Sequence, residues 1–180
     1  MSPELGFLPR LRGIVSPFYL TQTLNRTHRF MLIESILTPA RTKANIEGGS
    51  KKRIFETLAN TFAENLCDFD SNEIYQSLIA REKLGSTGLG QGIAIPHCRF
   101  NTSGETYGVC LTLSTPIDFD AADNQPVDII FAMLVPEDAQ SSHLEALSAL
   151  AETMQNNYFV AKIRSAQSNE AVFNAVTQKA

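Results

Sequence analysis

The sequence IIFAMLV, at residues 129–135, is the strongest indication of how this chain folds. It is the longest uninterrupted apolar run, and it is far shorter than the roughly 18 residues that suggest a membrane span. A run that is apolar at every position is expected of a central strand covered on both faces. The sequence therefore predicts a buried strand here, in a protein with no membrane insertion.

A second strand is predicted upstream, at residues 107–114, where large apolar residues alternate with small or polar ones. A period of two is typical of a half-buried strand. The segment 115–126, between the two strands, is rich in turn-forming residues. A third, short strand is expected at residues 93–95, where the sequence Ile-Ala-Ile favours β structure.

Helical patterns precede, separate and follow these strands. Ser50 is placed to cap the first helix, and capping-box spacings occur at Asp70–Glu73 and Ser142–Glu145. The predicted helices are 51–66, 71–84, one from near Ser142 to Met154, 158–164 and 168–178. Helices on both sides of the strands predict the α/β class, in a single-domain sandwich with a central mixed β-sheet flanked by helices on both faces.

Composition narrows the possible functions. The chain has 180 residues, 43% of them hydrophobic and 19% charged, which is typical of a globular protein. Its net charge is −4, so it lacks the excess of positive charge typical of nucleic-acid-binding proteins, and no nucleic-acid partner is expected. The three cysteines are odd in number and lack CxxC spacing, which favours a reducing, cytoplasmic location over a disulfide framework.

The first 30 residues differ from the rest. They carry four arginines against one acidic residue, a charge of +3 that leaves −7 for residues 31–180. Three prolines and no long apolar segment argue against a secretory signal. We expect residues 1–30 to be a flexible extension, or to lie outside the domain, which is predicted to span 31–180. Met31 is compatible with a true start at that position and equally with an ordinary buried methionine.

A glycine-rich segment, GSTGLGQG at residues 85–92, precedes the short strand. Glycines allow successive backbone N–H groups to converge on an anion, so such loops often bind phosphate. A Walker loop is excluded because Gln91 and Gly92 occupy the Lys and Ser/Thr positions. The dinucleotide fingerprint also fails, because the glycines are spaced by twos and the loop precedes a strand. A mobile loop feeding the strand is expected.

Three side chains have residue types suited to phosphoryl chemistry, one as a nucleophile and two as groups that bind phosphoryl oxygens if the fold brings them near. His97 follows Pro96, which ends regular strand pairing, and a neutral imidazole beside glycine amides is a plausible nucleophile, although a lone His after Pro is more often a turn residue. Arg81, on the last turn before the loop, either binds phosphoryl oxygens or complements the helix terminus. His143, in the first turn of a helix, is either a phosphate donor or a solvent-facing residue.

The run REKLGSTGLGQGIAIPH, residues 81–97, closely resembles the active-site signature of the fructose/mannitol-type (type 2) IIA domains of the bacterial phosphotransferase system. Further similar segments follow in the right order, namely PIDFD at 116–120, DNQPV at 123–127, LVP at 134–136 and HL at 143–144. The resemblance covers residues 31 to 178. Cys98 departs from it, because relatives usually carry Gly or Ala there, and its thiol leaves a redox sensitivity of the site open.

This resemblance implies that Nε2 of His97 accepts a phosphoryl group, while a backbone carbonyl holds the other ring nitrogen. The donor would be the phosphohistidine of an HPr-like carrier, charged from phosphoenolpyruvate by an enzyme I homologue. Arg81 and His143 would stabilise the phosphoryl group, without metal or cofactor. The glycine loop would contact the phosphate or the partner through Gly85, Ser86, Thr87, Gly88, Leu89, Gly90 and Gly92. An apolar rim of Leu89, Ile93 and Phe119 would suit carrier docking.

Three functions remain open. A free-standing chain of this type resembles the nitrogen-related branch of the family, which predicts a regulatory phosphocarrier acting on proteins such as transporters or kinases. The alternative is the IIA component of a fructose- or mannitol-type permease that passes phosphate to a IIB domain. The end of the chain at Ala180, with no IIB segment, favours the regulator. A binding module with a vestigial site is the third.

Overall fold

One mixed sheet forms the centre of the protein. The computed structural model describes residues 33–138 and 141–177, with side chains for all of these except 141–144. Six strands form the sheet in this part of the chain, namely β1 Thr42–Ile46, β2 Gly88–Gly90, β3 Ile93–Ala94, β4 His97–Phe100, β5 Tyr107–Ile117 and β6 Val127–Pro136. The predicted extension and the start of the predicted domain, residues 1–32, lie outside the described residues.

Strand β6 lies in the middle of the sheet, between β5 and the two short strands β3 and β4. It pairs antiparallel with β5 and parallel with both β3 and β4. Beyond β5 lies β1, which pairs parallel to it, and β2 forms an antiparallel hairpin with β3 at the opposite edge. The sheet is therefore mixed, as the sequence predicts.

Helices cover both faces of this sheet. They include α1 Lys51–Asn65, α2 Ser71–Glu82, α3 Ser141–Met154, α4 Asn157–Ser165 and α5 Asn169–Thr177; residues 33–36 are also helical, and a 3-10 turn spans Pro39–Arg41. None of the helices among the described residues is long and apolar enough to cross a bilayer. Ser50 and Asp70 accept from the backbone N–H groups of Arg53 and Glu73, so both predicted N-caps are confirmed. Ser142 lies inside α3, one residue past its start.

The alternating residues of β6 show how the two layers are built. Ile129, Phe131 and Met133 belong to a core shared with α3, α4 and α5. Ile130, Ala132 and Leu134 belong to the opposite core, shared with α1 and α2. The prediction of a central strand buried on both sides is therefore confirmed, and with it the sandwich architecture.

Strand β5 differs from its prediction. It is longer than the expected 107–114, and both of its faces are buried between Gly108 and Leu113. The small residues of its alternating pattern pack beneath the second helical layer, where Cys110 is fully buried and Thr112 nearly so. The prediction that only one face of β5 is buried was wrong. The alternate residues of the strand are small rather than strongly polar, so they can be buried as well.

Three short strands and one helix end were not predicted. Strand β1 is an edge strand with partly exposed polar residues, so it lacks an apolar pattern. Strand β2 lies inside the glycine segment, which is therefore partly ordered by the sheet, and β4 begins at His97. Helix α2 ends at Glu82 instead of Leu84, because the N–H groups of Leu84 and Gly85 bond back to Arg81 and Glu82 in tight turns.

One glycine in the turn between β2 and β3 is expected to be important for the stability of the fold. Gly92 has a φ of +81°, and a Cβ there would lie 2.5 Å from Nη2 of Arg164 and 2.8 Å from Oδ1 of Asp128. These two side chains form a bidentate ion pair, so they cannot both move aside without losing it. Gly92→Ala is expected to lower the free energy of unfolding by about 1–3 kcal/mol in urea titrations.

The control for this prediction is Gly104→Ala. Gly104 has a φ of +93° and nothing within 4 Å of a built Cβ, so its substitution carries the backbone strain alone. Equal losses of stability in the two variants would contradict the steric role of the Arg164–Asp128 pair.

Candidate active site

A proline interrupts the strand that carries His97. Strands β3 and β4 lie end to end along β6 and pair with it in one continuous register. Ile93 pairs with Ile129, and His97 pairs with Met133. Pro96 lacks an N–H, and the preceding Ile95 turns its own N–H to Thr87, 3.0 Å away. The carbonyl of Ile95 accepts from Nδ1 of His97 at 2.8 Å. The interruption therefore supplies the acceptor that orients the imidazole.

This position corrects one expectation from the sequence. Pro96 was expected to end strand pairing where His97 projects, yet pairing resumes at His97 and continues to Phe100. The carbonyl of Pro96 still accepts from Met133 N–H at 2.8 Å, so only the N–H side of the ladder is lost at this residue. His97 therefore stands at the start of a strand and is held by the sheet on one side.

Arg81 meets His97 from the last turn of α2. Its Nε–H donates to Nε2 of His97 at 3.3 Å, and its Nη1 donates to the Gly85 carbonyl at 3.0 Å. An imidazole that donates from Nδ1 to a carbonyl and accepts at Nε2 is the neutral Nδ1–H tautomer. The structure thus brings Arg81 and His97 together, with the lone pair of Nε2 on the side of the guanidinium.

Burial of the ring and the positive charge of Arg81 favour this neutral form. Desolvation lowers the pKa of His97 below its ordinary value of 6.5, and the positive charge of Arg81 lowers it further. The hydrogen bond to Ile95 and the negative charge of Glu82 act in the opposite direction, and the net change is downward. Because an imidazole is neutral above its pKa, Nε2 of His97 carries no proton at neutral pH.

The titration of His97 tests this balance. In pH titrations followed by NMR of the ring, we expect the midpoint for His97 to fall below 6.5. Arg81→Met should raise the midpoint, because it removes a positive charge that opposes protonation. Lys83→Met, which removes an exposed cation from the same helix end, is the control. A wild-type midpoint at or above 6.5 would contradict the burial of the ring.

Two charged residues behind the site were missed by the sequence analysis. The Glu82 carboxylate, whose side chain is 7% exposed, accepts from the backbone N–H and hydroxyl of Thr87 and forms an ion pair of 2.9 Å with Lys51. Lys51 also donates to the Phe119 carbonyl and to Asp120. Lys51 begins α1 and Glu82 ends α2, so no local sequence spacing predicts their contact.

The glycine segment uses part of its backbone for its own structure. The N–H groups of Thr87 and Gly88 donate to Glu82 and to the Ser86 hydroxyl, and that hydroxyl donates to the Phe119 carbonyl. These two amides therefore have acceptors in the unphosphorylated protein. Contacts of residues 85–92 with phosphate or a partner remain predictions.

His143 lies in the first turn of α3, as its sequence context predicts. Its side chain is outside the described residues, so its role in binding the phosphoryl group stays a prediction.

The predicted apolar rim needs correction. Ile93 is 1% exposed and Phe119 is fully buried, and each belongs to one of the two cores. They therefore offer no docking surface. Phe119 stacks on Phe55, a contact between residues far apart in the sequence. The exposed apolar side chains next to the site are Leu84, 86% exposed, and Leu89, 38% exposed. Leu84 follows Arg81 by three residues and replaces the two buried ones as a docking candidate.

Cys98, the residue after His97, is buried in the core shared with α1 and α2. Burial raises the pKa of its thiol to about 12. Since the thiolate is the reactive species, this cysteine is held in its inert form at neutral pH. The redox sensitivity left open by the sequence is therefore disfavoured.

Comparison with known proteins gives the class to which this fold and site belong. Residues 35–179 match the family described as phosphoenolpyruvate-dependent sugar phosphotransferase system, EIIA 2. The chain belongs to this family, so it is a phosphoryl-transfer component that works with other proteins of such a system. The predicted resemblance and fold class are confirmed.

Particular relatives within the family are regulatory proteins. A nitrogen regulatory protein of Pseudomonas aeruginosa is 47% identical over 144 residues, covering 80% of this chain and 94% of the relative. The crystal structure of nitrogen regulatory protein IIA-Ntr from Neisseria meningitidis has a TM-score of 0.74 and 39% identity, covering 81% of this chain and 99% of that one.

The sugar-specific members are more distant. The fructose-specific EIIABC component of Bacillus subtilis is 29% identical over 150 residues, which are 82% of this chain and 23% of that protein. The comparisons therefore favour the predicted regulatory class, and they make the permease alternative the weaker one.

Proposed function

We propose that the protein is a regulatory phosphocarrier whose His97 accepts a phosphoryl group at Nε2. The donor is the phosphohistidine of an HPr-like carrier protein, which an enzyme I homologue charges from phosphoenolpyruvate. The observation that supports this most is the pair of ring contacts, Nδ1 to the Ile95 carbonyl and Nε2 to Arg81. Together they fix one nitrogen as a proton donor and leave the other with a lone pair beside a cation.

The transfer is an in-line displacement at phosphorus. The Nε2 lone pair forms the new P–N bond while the P–N bond of the carrier breaks, and the carrier imidazole leaves with that electron pair. The hydrogen bond from Arg81 uses the same lone pair, so the guanidinium must release Nε2 and turn to the phosphoryl oxygens. Positioning and charge stabilisation suffice for this chemistry.

The Ile95 carbonyl has a second role in this mechanism. Once Nε2 carries phosphorus, the ring keeps its Nδ1–H and gains positive character, which the carbonyl oxygen stabilises at 2.8 Å. His143 is assigned with Arg81 to the phosphoryl oxygens, on the basis of the sequence resemblance. The phosphorylated and free forms then differ in charge at the partly exposed start of β4, which is how target proteins such as transporters or kinases would distinguish them in the cytoplasm.

Docking of the carrier is assigned to Leu84 and Leu89. Replacing either with Asp is expected to raise the KM for the phosphorylated carrier about tenfold, because a charge replaces apolar contact area. The rate at saturating carrier should change little, since neither side chain is bonded to His97. Stopped-flow or quench-flow transfer assays measure both parameters.

The matched control for docking is Tyr158→Asp, because Tyr158, on α4, is the third large hydrophobic side chain exposed in the described part of the chain, at 78%. An unchanged KM in both leucine variants, or an equal effect of Tyr158→Asp, would contradict this docking surface.

The proposed function is tested by reconstitution. The protein is incubated with phosphoenolpyruvate, an enzyme I homologue and an HPr-like carrier, and its phosphorylated residue is identified by mass spectrometry under conditions that preserve phosphohistidine. Phosphate on His97 that is not passed to the active cysteine of a IIB domain supports the regulator. Rapid passage to a IIB cysteine supports the permease component, and normal regulation by a chain that never takes phosphate supports a vestigial site.

A further inference from the structure

A buried carboxylate lies directly behind the proposed phosphoryl-transfer site. The Glu82 side chain is 7% exposed, and both of its oxygens are engaged. The backbone N–H of Thr87 lies 3.2 and 3.1 Å from Oε1 and Oε2, the Thr87 hydroxyl donates at 2.6 Å, and Lys51 Nζ lies 2.9 Å away. A carboxylate buried to this degree is stabilised only when it is paired and hydrogen-bonded, and here both conditions are met.

These bonds close the turn between α2 and β2. Glu82 is the last residue of the helix and Thr87 immediately precedes the strand, so the carboxylate joins the two ends of the turn. Within the turn, the Gly85 carbonyl accepts from Nη1 of Arg81 at 3.0 Å. That contact fixes one end of the guanidinium, while Nε at the other end points to His97. The orientation of Arg81 therefore depends on a turn that Glu82 holds.

Lys51 attaches this turn to a second loop. Its ammonium group contacts Glu82, the Phe119 carbonyl and Asp120, and it lies 4.7 Å from the centre of the Phe119 ring. The Ser86 hydroxyl donates to the same Phe119 carbonyl at 2.8 Å. Two loops from different parts of the chain thus share one set of polar contacts beneath the site.

The arrangement also has an electrostatic consequence. Glu82 is the residue next to Arg81 in the chain, and a free carboxylate there would compete for the guanidinium. Because Thr87 and Lys51 occupy the carboxylate, the hydrogen bonds of Arg81 within the described residues go to neutral acceptors, the Gly85 carbonyl and His97. Its positive charge stays available for a phosphoryl group.

We propose that Glu82, braced by Lys51, is a positioning residue that holds the 83–87 turn through Thr87 and thereby aims Arg81 at the phosphoryl group on His97. This inference rests on the proposed function of the site. Glu82 touches neither the imidazole nor the phosphoryl group, so it acts only through Arg81 and the turn.

The test uses the Arg81 side chain as its reporter. In the full-length unphosphorylated protein, the Nε–H signal of Arg81 is followed by NMR, together with its exchange with water. Glu82→Gln keeps the size of the side chain but removes its charge, and Lys51→Met removes the bracing cation. Both variants should broaden or shift the Arg81 signal and accelerate its exchange. Both should slow phosphoryl acceptance at saturating carrier roughly 10- to 100-fold, the size expected for a misplaced group.

Matched controls separate positioning from a general loss of charge. Glu73→Gln removes an exposed carboxylate from the same helix, and Lys52→Met removes the neighbouring exposed cation of α1. Both should leave the Arg81 signal and the rate unchanged. Thr87→Ser keeps both donors to Glu82 and should leave the Arg81 signal unchanged, whereas Thr87→Val loses the hydroxyl and should move the signal in the same direction as Glu82→Gln.

The outcomes are distinguishable. An Arg81 signal and transfer rate that are unchanged in both Glu82→Gln and Lys51→Met would overturn the positioning role. If Glu82→Gln fails to fold, Lys51→Met and Thr87→Val decide the question by the same two readouts. If the wild-type chain accepts no phosphate at all, the proposed function fails, while the NMR comparison still decides whether Glu82 positions Arg81.

Discussion

A His97→Gln variant is expected to take no phosphoryl group from the charged carrier. Gln keeps a polar side chain of similar reach, but an amide nitrogen has no lone pair that can form a stable bond to phosphorus. The side chain of His97 is partly exposed, so the substitution leaves both hydrophobic cores intact. Labelled phosphate transferred from phosphoenolpyruvate should be absent from the variant, while its urea unfolding midpoint stays near that of the wild type.

His143→Gln is the matched control for this experiment. It removes the other predicted imidazole and should slow acceptance while leaving His97 modifiable. Acid-labile phosphate retained on His97→Gln would show that another residue is the acceptor. A His143→Gln variant with the wild-type transfer rate would assign His143 to a solvent-facing role.

Arg81→Met is expected to reduce the rate of acceptance roughly 100- to 1,000-fold, the loss typical of removing one donor to a developing negative charge. Arg81 contributes a Nε–H beside His97 Nε2 and is anchored through Nη1 to Gly85. Methionine retains the length of the aliphatic stem and removes every donor. The measurement is a single-turnover transfer at saturating carrier, so that docking does not limit the rate.

Two further variants sharpen this result. Arg81→Lys restores one positive charge but lacks the planar fork, so it should recover only part of the rate. Lys83→Met removes an exposed cation from the same helix end and should have no effect. A wild-type rate in Arg81→Met, or an equal loss in Lys83→Met, would contradict the assignment of Arg81 to the phosphoryl group.

The sequence predicted those parts of the fold that depend on local patterns. Each of the caps, Ser50 and Asp70, needs only a side-chain oxygen and a backbone N–H three residues away. Such caps can therefore be predicted without knowledge of the tertiary structure. The central part of β6, residues 129–135, was predicted because every position there is apolar, as expected of a strand buried on both faces. The pairing of Arg81 with His97 was anticipated as a possibility, because both flank the glycine segment.

Other features depend on contacts that no local pattern encodes. Ile93 and Phe119 were expected on the rim, but the sheet and α1 bury them, and only the three-dimensional packing decides which apolar residue stays outside. The resumption of pairing at His97 follows from the register of β6, which is remote in sequence. The contact of Lys51 with Glu82 joins the first residue of one helix to the last of the next.

The most direct test of the account is the position of phosphorus on the ring of His97. The protein, labelled with 15N in its histidine side chains, is phosphorylated by the charged carrier and studied by 1H–15N and 31P NMR. Because Nδ1 is held by the Ile95 carbonyl, phosphorus should be bonded to Nε2, with the Nδ1–H retained. Phosphorus on Nδ1 of His97, or on any other residue, would contradict the account.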